Sequence, residues 1–188
     1  MNPTLRSTMP GLRLQRAWLR TDHAQAIDAV AFWLRNGALP SDEAWRRTSE
    51  LVALARIAKA GDTADDAEAD VIGISTATAI RCPLLDLPMY YLRMFVAPRH
   101  RRPEVARELL AESVRVLTPR DSTRRQAADA PRGIWLEMQN PKIDRAIRDL
   151  VWRVREFDFV YIGCSADGLV SRACYFPEAR LPHPDEAR

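Results

Sequence analysis

No apolar run in this 188-residue chain approaches the roughly 20 residues that a membrane-spanning helix needs, so no membrane role is expected. The N-terminal stretch MNPTLRSTMPGLRL lacks the apolar core of a secretory signal, and a cytoplasmic protein is the expectation. Cysteine is scarce. Cys82, Cys164 and Cys174 form no CxxC pair, and their odd number points to reduced thiols rather than a disulfide framework. Histidine is as scarce, and His23, His100 and His183 lie too far apart in sequence to predict a zinc site, so no metal is expected. A net charge of +3 is too small to argue by itself for a nucleic-acid partner.

What is present is ordinary globular material: 47% hydrophobic and 28% charged residues, enough for one domain with a real core. The charge is unevenly placed. GDTADDAEAD, Gly61 to Asp70, holds five carboxylates without a cation or the spacing of a calcium loop, and reads as a solvated loop. RHRRPEVAR and PRDSTRRQ hold most of the positive excess.

Hydrophobic periodicity predicts a first strand at LRLQRAW, Leu12 to Trp18. A helix capped by Thr21 or Asp22 follows to about Asn36, with Ala26, Ile27, Val30, Trp33 and Leu34 on its apolar stripe and Asn36-Gly37 as its stop. A second helix is predicted from Ser41 or Asp42 to about Ala60, with Trp45, Leu51, Val52, Leu54 and Ala55 facing inward. Strands follow at Val71 to Ala79 and Met89 to Ala97. A helix runs from Pro103 to about Leu117 on Val105, Ala106, Leu109, Leu110, Val114 and Leu117. Thr118 to Arg132 has no apolar period and reads as a mobile loop. GIWLEMQ, Gly133 to Gln139, is a strand, Pro141 opens a helix through about Val154, and Phe159 to Phe176 is a hairpin across Ala166-Asp167-Gly168. The order predicts an α/β (α+β) fold, a mixed sheet with both faces partly covered by about four helices.

The stretch VAPRHRRPEVARELL, Val96 to Leu110, is where chemistry concentrates: a strand ends, basic residues cluster, and an amphipathic helix opens at a proline. A helix N-terminus exposes unpaired N–H groups and about half a positive charge, so it attracts anions. With the strand before it, this segment resembles the GNAT N-acyltransferase superfamily, in which a V-x-P strand end leads into R/Q-x-x-G-x-G/A and a leucine-rich helix. Val96-Ala97-Pro98 matches V-x-P, Arg101 the R/Q position and Ala106 the last small position, with Leu109 and Leu110 in the helix. Two helices between the first and second strands also fit that family.

The resemblance implies a GNAT-like domain over 11–177, with a mixed, mostly antiparallel sheet, a flexible N-terminus over 1–10 and a loose tail over 178–188. It implies acetyl-CoA or another acyl-CoA as co-substrate, held by Phe95, Val96, Arg101, Arg102, Glu104, Val105, Ala106 and Asn140, and a small-molecule or peptide amine as acceptor. Asn140 also reads as an N-cap before Pro141. The chain departs from the pattern at Glu104, a carboxylate at the glycine position, beside Pro103, which lacks an amide donor. A late-helix tyrosine that would serve as acid is missing too, since residues 143–157 contain none.

Four candidates remain, the fourth being Cys164, a nucleophile only if a base stands beside it. Glu137 shares a strand face with Trp135 and Gln139, facing either a cleft as a base or the solvent. Tyr91 shares a face with Arg93 and Phe95, as proton donor or as packed core. Tyr161 lies in the last hairpin, where the family closes its acceptor site, or packs in the core. Cys164, with no histidine near it in sequence, is expected to be a small buried residue. Two further readings stand beside the enzyme: a non-catalytic module acting through a partner surface, with a homodimer as one form, and a nucleic-acid binder, disfavoured because few aromatics accompany the cations.

Overall fold

A computed structural model describes residues 10–58, 69–118 and 129–180. Expectations for the N-terminal stretch, most of the acidic run, the centre of the Thr118 to Arg132 loop and the end of the tail lie outside them. In chain order the elements are β1 (Leu12–Arg16), α1 (His23–Arg35), α2 (Ser41–Arg46), a 3-10 turn (Arg47–Glu50), β2 (Leu51–Ile57), β3 (Asp70–Cys82) and β4 (Leu87–Val96). A second 3-10 turn (Pro98–His100), α3 (Pro103–Leu117), β5 (Gly133–Glu137), α4 (Pro141–Ala146), β6 (Val151–Val154), β7 (Phe157–Cys164) and β8 (Val170–Tyr175) follow. The strand order is β1-β2-β3-β4-β5-β8-β7-β6. β4 and β5 pair parallel, whereas β1–β2, β2–β3, β5–β8, β7–β8 and β6–β7 pair antiparallel. The fold is α+β on a mostly antiparallel sheet.

The chain forms two compact units, the first running to Thr76 and resuming over Met94–Val116, the second comprising Ala77–Arg93 and the chain from Leu117 onward. In the first unit, Asp22 caps α1: its side chain accepts the Gln25 amide at 2.7 Å while Gln25 Oε1 accepts the Asp22 amide at 3.2 Å. Gln25 is buried, its Nε2 donating to the Arg16 carbonyl at 3.2 Å. That satisfied amide rotates α1 away from the stripe hydropathy predicts. Ala29, Val30, Phe32 and Trp33 are buried, whereas Ile27 and Leu34 are each 45% exposed.

The second predicted helix is corrected. It stops at Arg46, Trp45 is exposed, and Leu51–Ile57 is strand β2. Leu51 to Ala55 are all buried, so the strand has no polar face and its sequence loses the alternation that separates strand from helix. α3 lies close to β3 because Gly73 has no side chain: a Cβ there would stand 3.3 Å from Leu109 Cδ2. Ser113 Oγ donates 2.8 Å to Ser75 Oγ, and buried Glu112 takes Arg16 Nε at 2.5 Å and Arg115 Nη1 at 3.2 Å.

In the second unit β8 lies between β5 and β7. Gly133 permits the β5–β8 approach, since a Cβ there would stand 2.3 Å from the Cys174 carbonyl oxygen. The predicted helix after Pro141 ends at Ala146, and Val151–Val154 is a strand. Buried Arg172 explains the break, because its Nη2 donates to the carbonyls of Ile147 at 3.0 Å and Asp149 at 2.9 Å, turning them out of a helical ladder. The β7–β8 hairpin turns through Gly168 at φ 76°, as expected.

Candidate active site

At the first unit's candidate site, β4 delivers Phe95 and Val96 to the turn before α3. The Ala97 amide donates to the Ile72 carbonyl at 2.9 Å, tying the strand end to β3. Arg101 folds back, its Nε donating to the Val96 carbonyl at 3.1 Å and its guanidinium lying 5.7 Å from the centre of the Phe95 ring. Phe95 in turn meets Phe32 edge-on at 5.8 Å. Arg99, Arg101, Arg102 and Glu104 are exposed, Ala106 is half-buried, and Val105 is a core residue whose side chain is closed to a ligand. Pro103 has no N–H, so the first-turn amides of Glu104 and Val105 are the donors without an intrahelical acceptor. His100 has its pKa lowered by burial and by the charges of Arg99 and Arg102, against Asp70, which raises it. The corner is thus basic at its rim and carries one carboxylate at its mouth.

The second unit brings together two candidates that sequence keeps far apart. The parallel ladder pairs Tyr90 with Ile134 and Tyr91 with Trp135. Tyr91 and Glu137 therefore sit on neighbouring strands, and the Tyr91 hydroxyl donates to Glu137 Oε2 at 2.7 Å. Trp135 stacks on the Tyr91 ring with centroids 4.3 Å apart, and the Arg93 guanidinium lies 4.5 Å from the ring centre. Burial, then the Glu137 carboxylate, pushes the Tyr91 phenol up, so it stays protonated at neutral pH. Trp135 is buried, and its Nε1 has no hydrogen-bond partner among the described residues. Sequence reasoning gave Arg93 and Trp135 no role, although the period-two alternation that placed them beside Tyr91 and Glu137 was the available signal.

Tyr161 stands apart from this pair, 43% exposed, with its hydroxyl 3.7 Å from Cys164 Sγ. Cys164 is exposed, which corrects the expectation of a buried residue, because it sits where β7 gives way to the hairpin turn. The Asn140 carbonyl accepts the Ile143 amide at 3.0 Å and opens α4. Among the described residues no group of three or more His, Cys, Asp or Glu could hold a metal ion, and no helix is long and apolar enough to cross a membrane.

No protein-family model and no curated protein matches the chain. Among solved structures it is similar to a GNAT-family acetyltransferase from Streptococcus pneumoniae, at 16% identity and a TM-score of 0.47, over 87% of this chain and 96% of that one. It is also similar to Arabidopsis thaliana NAA60 in complex with acetyl-CoA, at 13% identity and a TM-score of 0.48, over 88% and 99%. A third is a GNAT-superfamily phosphinothricin acetyltransferase from Sinorhizobium meliloti in complex with AcCoA, at 14% identity and a TM-score of 0.46, over 93% and 94%.

Proposed function

We propose that the chain is an acyl-CoA-dependent N-acyltransferase, moving an acyl group, acetyl in the simplest case, from the thioester to an amine. The observation that carries the reading is the corner after β4. The strand runs past its last rung with β5 at Tyr91, reaches Val96, and turns through four basic residues, Arg99 to Arg102, into a helix of 15 residues. The order of elements, with α1 and α2 between β1 and β2 and V-x-P closing β4, is the order the GNAT resemblance implies.

In this reading the amides of Glu104 and Val105 and the side chains of Arg101 and Arg102 take the pyrophosphate. Phe95 and Val96 border the extended part of the coenzyme, and Asn140 is a further contact. Glu137 acts as the base. Tyr91 occupies its Oε2, leaving Oε1 to accept a proton from the incoming ammonium group. The neutral amine attacks the thioester carbonyl, a C–N bond forms, the C–S bond breaks, and the thiolate leaves to be protonated.

Isothermal titration of the protein with acetyl-CoA, with CoA as comparison, tests the cradle, and thiol release with a panel of amines tests the transfer. Micromolar binding with amine-dependent thiol release is the expected result. Glu104, exposed at the glycine position, favours one competing reading: a module of this fold that has lost the chemistry. That reading requires no heat and no thermal stabilisation at millimolar ligand.

A further inference from the structure

Glu137 uses only one of its carboxylate oxygens within the chain. Oε2 accepts the Tyr91 hydroxyl at 2.7 Å, and Oε1 has no partner among the described residues. Glu137 is half-buried, so an amine that reaches Oε1 sets its own carbons against the side chains around it.

The strand register identifies those side chains. Glu137, Ser171 and Gly163 stand level across β5, β8 and β7, all within the second unit. At about 4.8 Å between strands, Gly163 lies roughly 10 Å from Glu137 along that row. Gly163 has φ 127°, which excludes most side chains, and a Cβ there would meet Leu84 Cδ1 at 3.6 Å and Cδ2 at 3.8 Å. Leu84, in the turn from β3 to β4, is 38% exposed and closes the far end of the row. Beside the row, Tyr91 and Ile162 are half-buried and pack against a core that includes Trp135 and Ala173. The wall that leads from Glu137 to Leu84 is therefore apolar.

Charge narrows the acceptor further. Two other carboxylates of these elements are already paired: Asp158 accepts from Arg153 at 2.8 and 2.9 Å, and Asp86 meets Arg81 at 3.1 Å. Arg93 adds a cation 4.5 Å from the centre of the Tyr91 ring. A second positive charge on the acceptor would meet that guanidinium and find no unpaired carboxylate along Tyr91, Ile162 and Leu84. We propose that the acceptor is a monoamine on an apolar or aromatic body, its nitrogen at Glu137 Oε1 and its body along Tyr91, Ile162 and Leu84. This assignment rests on the acyltransferase reading above and names the class of amine that the reading leaves open.

Thiol release with three amines and a peptide reads the preference. 2-Phenylethylamine should exceed spermidine, ethanolamine and a lysine-bearing peptide in kcat/KM by at least about tenfold, the size of effect that one methylene has in an apolar pocket. Leu84→Asp sets a carboxylate at the far end of the wall and should move the ratio toward spermidine by about tenfold. Ile162→Ala should raise KM for 2-phenylethylamine and leave that for ethanolamine in place. Leu84 is an exposed turn residue, so an unchanged melting temperature is the expected control for its variant. Calorimetry of 2-phenylethylamine on the CoA-saturated protein reads the same contact without turnover. Absence of that heat, release that favours any of the other acceptors, or a preference indifferent to both substitutions overturns the assignment and leaves the acyltransferase reading standing. Absence of CoA binding overturns that reading and the assignment with it.

Discussion

The hydroxyl of Tyr91 donates to Glu137 Oε2 across 2.7 Å, joining residues 46 positions apart. Trp135 and Arg93 hold the phenol ring from its faces, so the hydrogen bond is fixed by packing as well as by charge. If Glu137 is the base, Glu137→Gln should lower kcat by about 10²- to 10⁴-fold with the affinity for CoA unchanged. Tyr91→Phe should lower kcat less and cost about 1.5–3 kcal/mol of stability, the worth of one bond to a charged group. Steady-state thiol release and denaturant titration read the two effects. An active Glu137→Gln enzyme removes the residue from the chemistry.

The corner after β4 makes a prediction of opposite signs for two neighbours. Arg101→Glu should abolish CoA binding by setting a carboxylate where a phosphate would sit. Glu104→Gly should tighten it by about 0.3–1 kcal/mol, the size of a charge acting on a helix dipole at the surface. Both are measured by titration calorimetry. Unchanged or weaker binding in Glu104→Gly would show that this carboxylate does not compete with the ligand.

His100 gives the corner a pH dependence. Its pKa is depressed by burial and by Arg99 and Arg102, so the folded protein binds fewer protons than the unfolded chain between the lowered value and 6.5. Stability from this group is fully present above 6.5 and is lost as pH falls through that window. Ligand binding has the reverse sign. A phosphate near His100 favours its protonated form, so CoA should bind more tightly as pH falls below 6.5 and take up a proton as it does. Calorimetry in buffers of different ionisation enthalpy counts that proton, and His100→Asn should erase it.

Gly133→Ala should destabilise the second unit by at least about 1–3 kcal/mol, because the new Cβ would meet the Cys174 carbonyl at 2.3 Å and backbone has to move. Thermal unfolding measures it. Gly168→Ala, in an open turn at positive φ with no atom within 4 Å, should cost only about 1 kcal/mol. Equal losses at the two sites would contradict the packing argument.

Much of this was legible in the chain. Alternation located β1, strand propensity located β4, the Ala166-Asp167-Gly168 turn located the last hairpin, and Pro103 and Asn36-Gly37 marked helix ends correctly. Leu51–Ile57 was not legible, because burial on both faces erases the polar alternation of a strand. Nor was α1's inner face, since hydropathy counts Gln25 as outward, whereas its amide is satisfied inside by Arg16 and Asp22. Tyr91 and Glu137 were each identifiable as candidates from their strands. Their contact depends on the parallel register of β4 with β5, a long-range pairing that no local pattern encodes.

The position of β8 has a consequence for how the second unit is made. Among the described residues it is the last strand to be synthesised, yet it lies between β5 and β7 and pairs with both. Until it emerges, two interior edges stand open with unpaired amides and carbonyls, inviting another chain to supply the missing strand. A growing chain is therefore most prone to misassembly just before its sheet is complete, and a truncation ahead of Val170 would hold it in that state.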